Sequence, residues 1–148
     1  MKLIVHATDG SPEAEEALDM AIDLAKETGA KLAVVTVHVP PPGGKVPAPP
    51  IKEVEKPQGA EHIAEAAAAK ARAAGVDAKA YVTHGLDPAP EIARVAEELG
   101  ADLIVVGSRG LGAVRGALMG SVSRYLVSHS KVPVTVVTNR HVREHAHA

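Results

Sequence analysis

Residues 103–124 read "LIVVGSRGLGAVRGALMGSVSR". Four branched apolar residues are followed by five of the chain's thirteen glycines, and then by Val122, Tyr125 and Leu126 at helical spacing. An apolar run of this length, bounded by glycine, predicts a buried strand. The glycine-rich part has two readings. The glycines either let the chain turn, or they let backbone amides approach a ligand that a β-carbon would keep away, with phosphate the best-matched ligand.

The flanking sequence sets this stretch in a rhythm. "LIVHA" from Leu3 is a short β-rich run ending at the turn signal Thr8-Asp9-Gly10. Ser11 is a good N-cap, Pro12 suits the first helical position, and Glu13, Glu15 and Glu16 sit at the positive end of the helix. Ala14, Ala17, Leu18, Ala21, Leu24 and Ala25 continue at helical spacing, and Gly29 closes the helix. "KLAVVTV" from Lys31 predicts a second buried strand, "AEHIAEAAAAKARAAG" a helix ending at Gly75, and "DAKAYVT" a strand nearer an edge. Asp87 or Pro88 opens a helix carrying Ile92, Val95, Ala96 and Leu99 that stops at Gly100. "ADLIVVG" is the fourth strand, and "VPVTVV" (Val132 to Val137) the last. Strands and helices alternate, and the strands are nearly continuous apolar runs. This predicts an α/β fold: a doubly wound, open parallel five-stranded sheet with helices on both faces.

Two segments fall outside the rhythm. "PPPGGKVPAPPIKEVEKPQG" (residues 40–59) carries seven of the eleven prolines. It is far longer than an ordinary strand-to-helix loop and reads as an exposed, partly polyproline-like flap, either disordered or a lid, within one domain spanning 1–140. Residues 141–148 form a tail with His141, His145 and His147, which reads as solvated chain before it reads as a metal site.

Composition excludes several classes. The chain has 148 residues, 46% of them hydrophobic, enough for one real core. With no Phe or Trp and two Tyr, it lacks stacking platforms for single-stranded nucleic acid, and a net charge of −2 gives no broad basic footprint. The absence of cysteine removes disulfides and thiol chemistry. No segment has the ~20 apolar residues of a membrane span, and the start is too short an apolar run for a signal peptide, so the expected location is cytoplasmic.

The glycine-rich stretch fails two phosphate motifs. A P-loop needs lysine before its Ser/Thr, and Gly120-Ser121 has none. A dinucleotide fingerprint starting at Gly110-Leu111-Gly112 meets Arg115 where the third glycine belongs, and it comes after the fourth strand instead of the first. The surviving pattern is Gly107-x-x-Gly110, nine residues, then Gly120-Ser121. This spacing, with "VHATDGSPEAEEAL" at the start and "GADLIVVGSRGLGAVRGALMGSVSRYLVSHSKVPVTVV" at the end, resembles the ATP-binding branch of the universal stress protein family over nearly the whole chain.

The resemblance implies strand order 3-2-1-4-5, with strands 1 and 4 adjacent where the winding reverses, the place where such sheets bind ligands. It implies ATP as ligand, with Mg²⁺. Gly107 and Gly110 would turn tightly against the nucleotide, while Gly120, Ser121, Val122 and Ser123 would open a helix whose amides and hydroxyls hold phosphate. Arg109, and less directly Arg115, would supply positive charge. Val37 would present its backbone to adenine, Asp9 would serve the ribose or the phosphate-bound Mg²⁺, and Ala7, Thr8 and Val106 would line the pocket. The family commonly dimerises through its last strand, which here implies a homodimer through Val132 to Val137. The function implied is a nucleotide-dependent sensor or regulator in stress response, acting on a protein partner that the sequence does not specify.

Plainer readings stand beside these. Asp9 can simply end a strand, Ser121 can simply cap its helix, and Arg109 can be solvated. Gly112 and Gly116 serve loop packing. His6 reads as a satisfied histidine near the core. His84, before Gly85, lacks the paired histidines of nucleotidyl transferases. No water-positioning residue or catalytic base is evident, so a dedicated enzyme is not expected. Slow ATP hydrolysis, or a nucleotide-independent interaction module of the same fold, remain the alternatives.

Overall fold

A computed structural model describes residues 1–46, 51–108 and 119–138. The elements are β1 (Leu3–Ala7), α1 (Pro12–Thr28), β2 (Lys31–His38), β3 (Ile51–Glu53), α2 (Ala60–Ala73), β4 (Ala78–His84), α3 (Pro88–Leu99), β5 (Leu103–Gly107), α4 (Ser121–His129) and β6 (Val134–Val137). They form a sheet of order β3-β4-β2-β1-β5-β6. All its pairings are parallel except that of β3 with β4. The five strands expected from sequence therefore stand in the expected order, with winding reversed between β1 and β5.

Local signals account for the helices. Ser11 caps α1 by accepting from the Ala14 amide, with Pro12 in the first turn and Gly29 closing at φ 74°. Asp87 does the same for α3 through the Ala89 amide, again followed by proline and closed by Gly100 at φ 73°. Alternation along the strands divides the core between two faces. Ile4, Leu32, Val34, Leu103 and Val105 pack on one side with Leu18 of α1 and the alanines of α2. Val5, Val35, Ile104 and Val106 pack on the other with Ile92 and Val95 of α3 and Leu126 of α4. In a core without Phe or Trp, fully buried Ala17, Ala21, Ala64, Ala68 and Ala71 let the helices lie close to the sheet.

The sheet differs from expectation at one edge. The proline-rich segment expected as a flap contains β3, which makes the sheet six-stranded. Ile51, Lys52 and Glu53 pair antiparallel with Thr83, Val82 and Tyr81 of β4, and the Val54 amide donates to Ala80 O at 2.9 Å. The physical reason is that Ile51 and Val54 pack onto opposite faces of the core while Lys52 and Glu53 stay exposed. A three-residue strand is too short for the alternation to stand out in sequence. Their charges also blunt this edge against pairing with another chain.

Candidate functional site

The carboxyl ends of β1 and β5 lie side by side: His6 is in register with Val105, which leaves Ala7 and Thr8 beside Val106 and Gly107. After β1 the chain departs to α1 on one face, and after β5 it reaches α4 on the other. In open α/β sheets a divergence of this kind is where ligands bind, outside the carboxyl ends of the strands.

The β1 side is a tied turn. The Thr8 amide donates to Val35 O (2.9 Å) and the Thr36 hydroxyl donates to Thr8 O (3.1 Å), holding β2 against the strand end. The Gly10 amide donates to Thr8 Oγ1 at 3.0 Å, and the Ser11 amide to Asp9 Oδ1 at 2.9 Å. Gly10 has φ +80°, and a β-carbon there would sit 3.3 Å from Ile63 of α2. The Asp-Gly-Ser entry is therefore fixed by backbone geometry and by α2 packing over it. Ala7, Thr8 and Asp9 are each half-buried.

The β5 side is tied by one carbonyl. Ser108, buried, continues the strand by donating its amide to Val137 O at 2.9 Å. Its own carbonyl accepts from the Gly120 amide (2.5 Å) and from Ser123 Oγ (2.9 Å), with Gly120 O also 3.1 Å from that hydroxyl. Both flanks of the glycine-rich stretch are thus drawn to one point. Gly120 is the N-cap of α4, with no side chain capping it and no acidic residue in the first turn. The first-turn amides of Ser121, Val122 and Ser123 come before the first intrahelical partners, so their dipoles present positive charge at this end.

Of the residues expected from sequence, Ala7, Thr8, Asp9, Val106, Gly107, Gly120, Ser121, Val122 and Ser123 fall at these two strand ends and the helix start. Val37 is half-buried near the end of neighbouring β2. The hydroxyl of Ser123, expected to face phosphate, is directed to Ser108 O and Gly120 O, so this residue offers a ligand its amide. Arg109, Gly110, Gly112, Arg115, Gly116 and the tail histidines 141, 145 and 147 lie outside the described residues. Sequence reasoning missed Ser108 and Thr36. A polar residue directly after, or inside, an apolar strand was the available signal, but it does not say which carbonyl it will tie.

His6 is fully buried on the α1 face. Its Nδ1–H donates to Val105 O at 2.9 Å, while Nε2 has no partner among the described residues, so the expectation of a fully satisfied histidine is corrected. Burial pushes its pKa down to about 4, against the opposing pull of the Val105 bond and the negative charges of Glu15 and Asp9. The ring is therefore neutral at pH 7, and the unpaired nitrogen is a lone pair instead of an orphaned donor.

The chain matches the model of the universal stress protein family over residues 1–138. It belongs to that family. It is similar to universal stress protein YxiE of Bacillus subtilis, with 40% identity over 147 residues covering 92% of this chain and 97% of that protein. Among solved structures it is similar to a universal stress protein in complex with cAMP (32% identity, TM-score 0.68, covering 92% of this chain and 95% of that one). It is also similar to the universal stress protein from Archaeoglobus fulgidus in complex with dAMP (25% identity, TM-score 0.66, covering 92% and 97%). No helix among the described residues is long and apolar enough to cross a membrane.

His6 gives this universal stress protein a pH signature. Its folded pKa lies below the unfolded value of about 6.5, so the unfolded chain binds the proton first. The stability linked to His6 is complete above about pH 6.5 and is lost as pH falls towards 4, by up to about 3 kcal/mol. Glu65 and Glu91 are held below the usual carboxylate range by Arg72 and Arg94. In urea unfolding at pH 7 and pH 4.5, wild type is expected to lose stability that a His6→Val variant keeps. An equal loss in both would show that the ring titrates normally.

Proposed function

We propose that this universal stress protein binds an adenine nucleotide across the carboxyl ends of β1, β2 and β5, with the phosphates at the start of α4, and acts as a nucleotide-dependent sensor or regulator. The observation that carries the reading is the Gly120-capped helix start, tied to Ser108 beside the Asp9 turn. It offers open amides, a positive dipole end and no acidic residue in the first turn. The similar structures in complex with cAMP and dAMP support an adenine nucleotide as the ligand class.

ATP with Mg²⁺ is the form we favour. A triphosphate near the Asp9 carboxylate meets like charge, and a Mg²⁺ ion supplies the screening that lets both occupy one crevice. In that arrangement Asp9 faces the ribose or the ion, Val37 offers its backbone to adenine, Ala7, Thr8 and Val106 form the wall, and Gly107 leaves room for close approach. Arg109 and Gly110 complete the phosphate side. Denaturing freshly purified protein and identifying the released nucleotide by mass spectrometry, followed by calorimetric titration of stripped protein, tests the reading directly. Asp9→Ala and Gly120→Val are each expected to abolish binding with the fold retained, the second because a β-branched side chain fills the space phosphate needs. Wild-type affinity in both variants would place the ligand elsewhere. Absence of any binding at millimolar Mg-ATP would favour the nucleotide-independent module.

The same reading includes a homodimer through Val132 to Val137. Ile104 N donates to Pro133 O and Ser108 N to Val137 O, so in the parallel ladder the odd-numbered residues of β6 face β5. The N–H and C=O groups of Val134 and Val136 then face outward, on an edge without the charges that β3 carries. Val136→Pro removes an outward donor while sparing the β5 ladder. Sedimentation is expected to show wild-type dimer and variant monomer; a dimeric variant would move the interface away from β6.

A further inference from the structure

The parallel pairing of β2 with β4 sets His38 in register with His84, at the carboxyl ends of both strands. Alternation puts both side chains on the α2 face, four residues beyond Val34 and Ala80, which pack there. The ring centroids are 5.2 Å apart with planes at 74°. The Gly85 amide donates to His38 O at 3.2 Å, so the ladder continues past the pair and fixes both backbones. His6 and His129 bond backbone carbonyls, but neither ring of this pair makes a hydrogen bond among the described residues. His38 is exposed and His84 half-buried, which gives solutes access and leaves the rings free to turn their nitrogens.

Two imidazoles sharing one tetrahedral ion at about 2.0–2.1 Å per nitrogen would have ring centres roughly 5.2 Å apart. The fold holds these rings at that separation before any ion arrives. We propose that His38 and His84 form a two-imidazole site for a borderline divalent transition metal, with Zn²⁺ as the representative ion and water completing its coordination. No group of three or more His, Cys, Asp or Glu among the described residues is arranged to hold a metal, so the described residues supply two ligands to the proposed site and water takes the other positions. Imidazole donors suit Zn²⁺, Cu²⁺ or Ni²⁺ and not Mg²⁺, which takes oxygen ligands, so this site is chemically separate from the cation of the proposed nucleotide complex.

The test uses the full-length chain with His141, His145 and His147 changed to Ala, which removes the imidazoles of the tail, and contains no nucleotide. Zn²⁺ is titrated by calorimetry while the imidazole ¹⁵N resonances are followed by NMR. The expected result is one saturable binding event in which the His38 and His84 ring resonances move together. His38→Ala or His84→Gln should each weaken it about tenfold or more, and His62→Ala should leave it unchanged. Amide spectra of the variants separate loss of a ligand from loss of the fold. Failure of the reference protein to bind Zn²⁺, an isotherm unchanged in the His38→Ala/His84→Gln double variant, or shifts confined to other histidines would overturn the assignment.

Discussion

The parallel pairing of β1 with β5 is the constraint on which the rest of the molecule depends. A parallel pair cannot be closed by a hairpin, so each strand must hand the chain to a helix that crosses one face. Because the winding reverses at this pair, α1 leaves to one face and α4 approaches from the other. The space between their starts cannot be filled by either helix. It is bordered by the Asp9 turn and by the Gly120 cap, where the first-turn amides of α4 are open backbone donors. The proposed ligand site is thus a consequence of topology before it is a consequence of any side chain.

Backbone ties then give the crevice its shape. Ser108 O accepts from two donors, Gly120 N and Ser123 Oγ, and so joins the end of β5 to the start of α4. Thr36 ties β2 to Thr8 from the other side. Each such bond contributes only about 0.5–1.5 kcal/mol net. Their greater effect is geometric, since they hold first-turn amides and strand ends in place before a ligand arrives.

Much of this arrangement was legible in the chain. Ser11-Pro12 and Asp87-Pro88 mark helix starts, Gly29 and Gly100 mark their ends, and apolar runs at Leu3, Lys31 and Leu103 mark buried strands. These are local signals with local causes. The same holds for the Gly107 and Gly120 positions, whose spacing survived the exclusion of two other phosphate motifs. The features that stayed hidden depend on register or on tertiary burial. Ile51–Glu53 becomes a strand only because β4 offers it a free edge. The Ser123 hydroxyl turns to Ser108 because fifteen residues of chain return to that point. The unpaired nitrogen of His6 and the facing rings of His38 and His84 arise from which residues are set opposite each other across strands, and no pattern in the linear sequence encodes that.

The most direct measurement is a backbone amide NMR titration of stripped, isotope-labelled protein with Mg-ATP. Shifts should concentrate at Thr8 and Asp9, at Val37, at Val106 to Ser108 and at Ser121 to Ser123, with the β3 edge undisturbed. Spectra unchanged at millimolar nucleotide, or shifts centred away from the ends of β1 and β5, would contradict a nucleotide site at the reversal of the sheet.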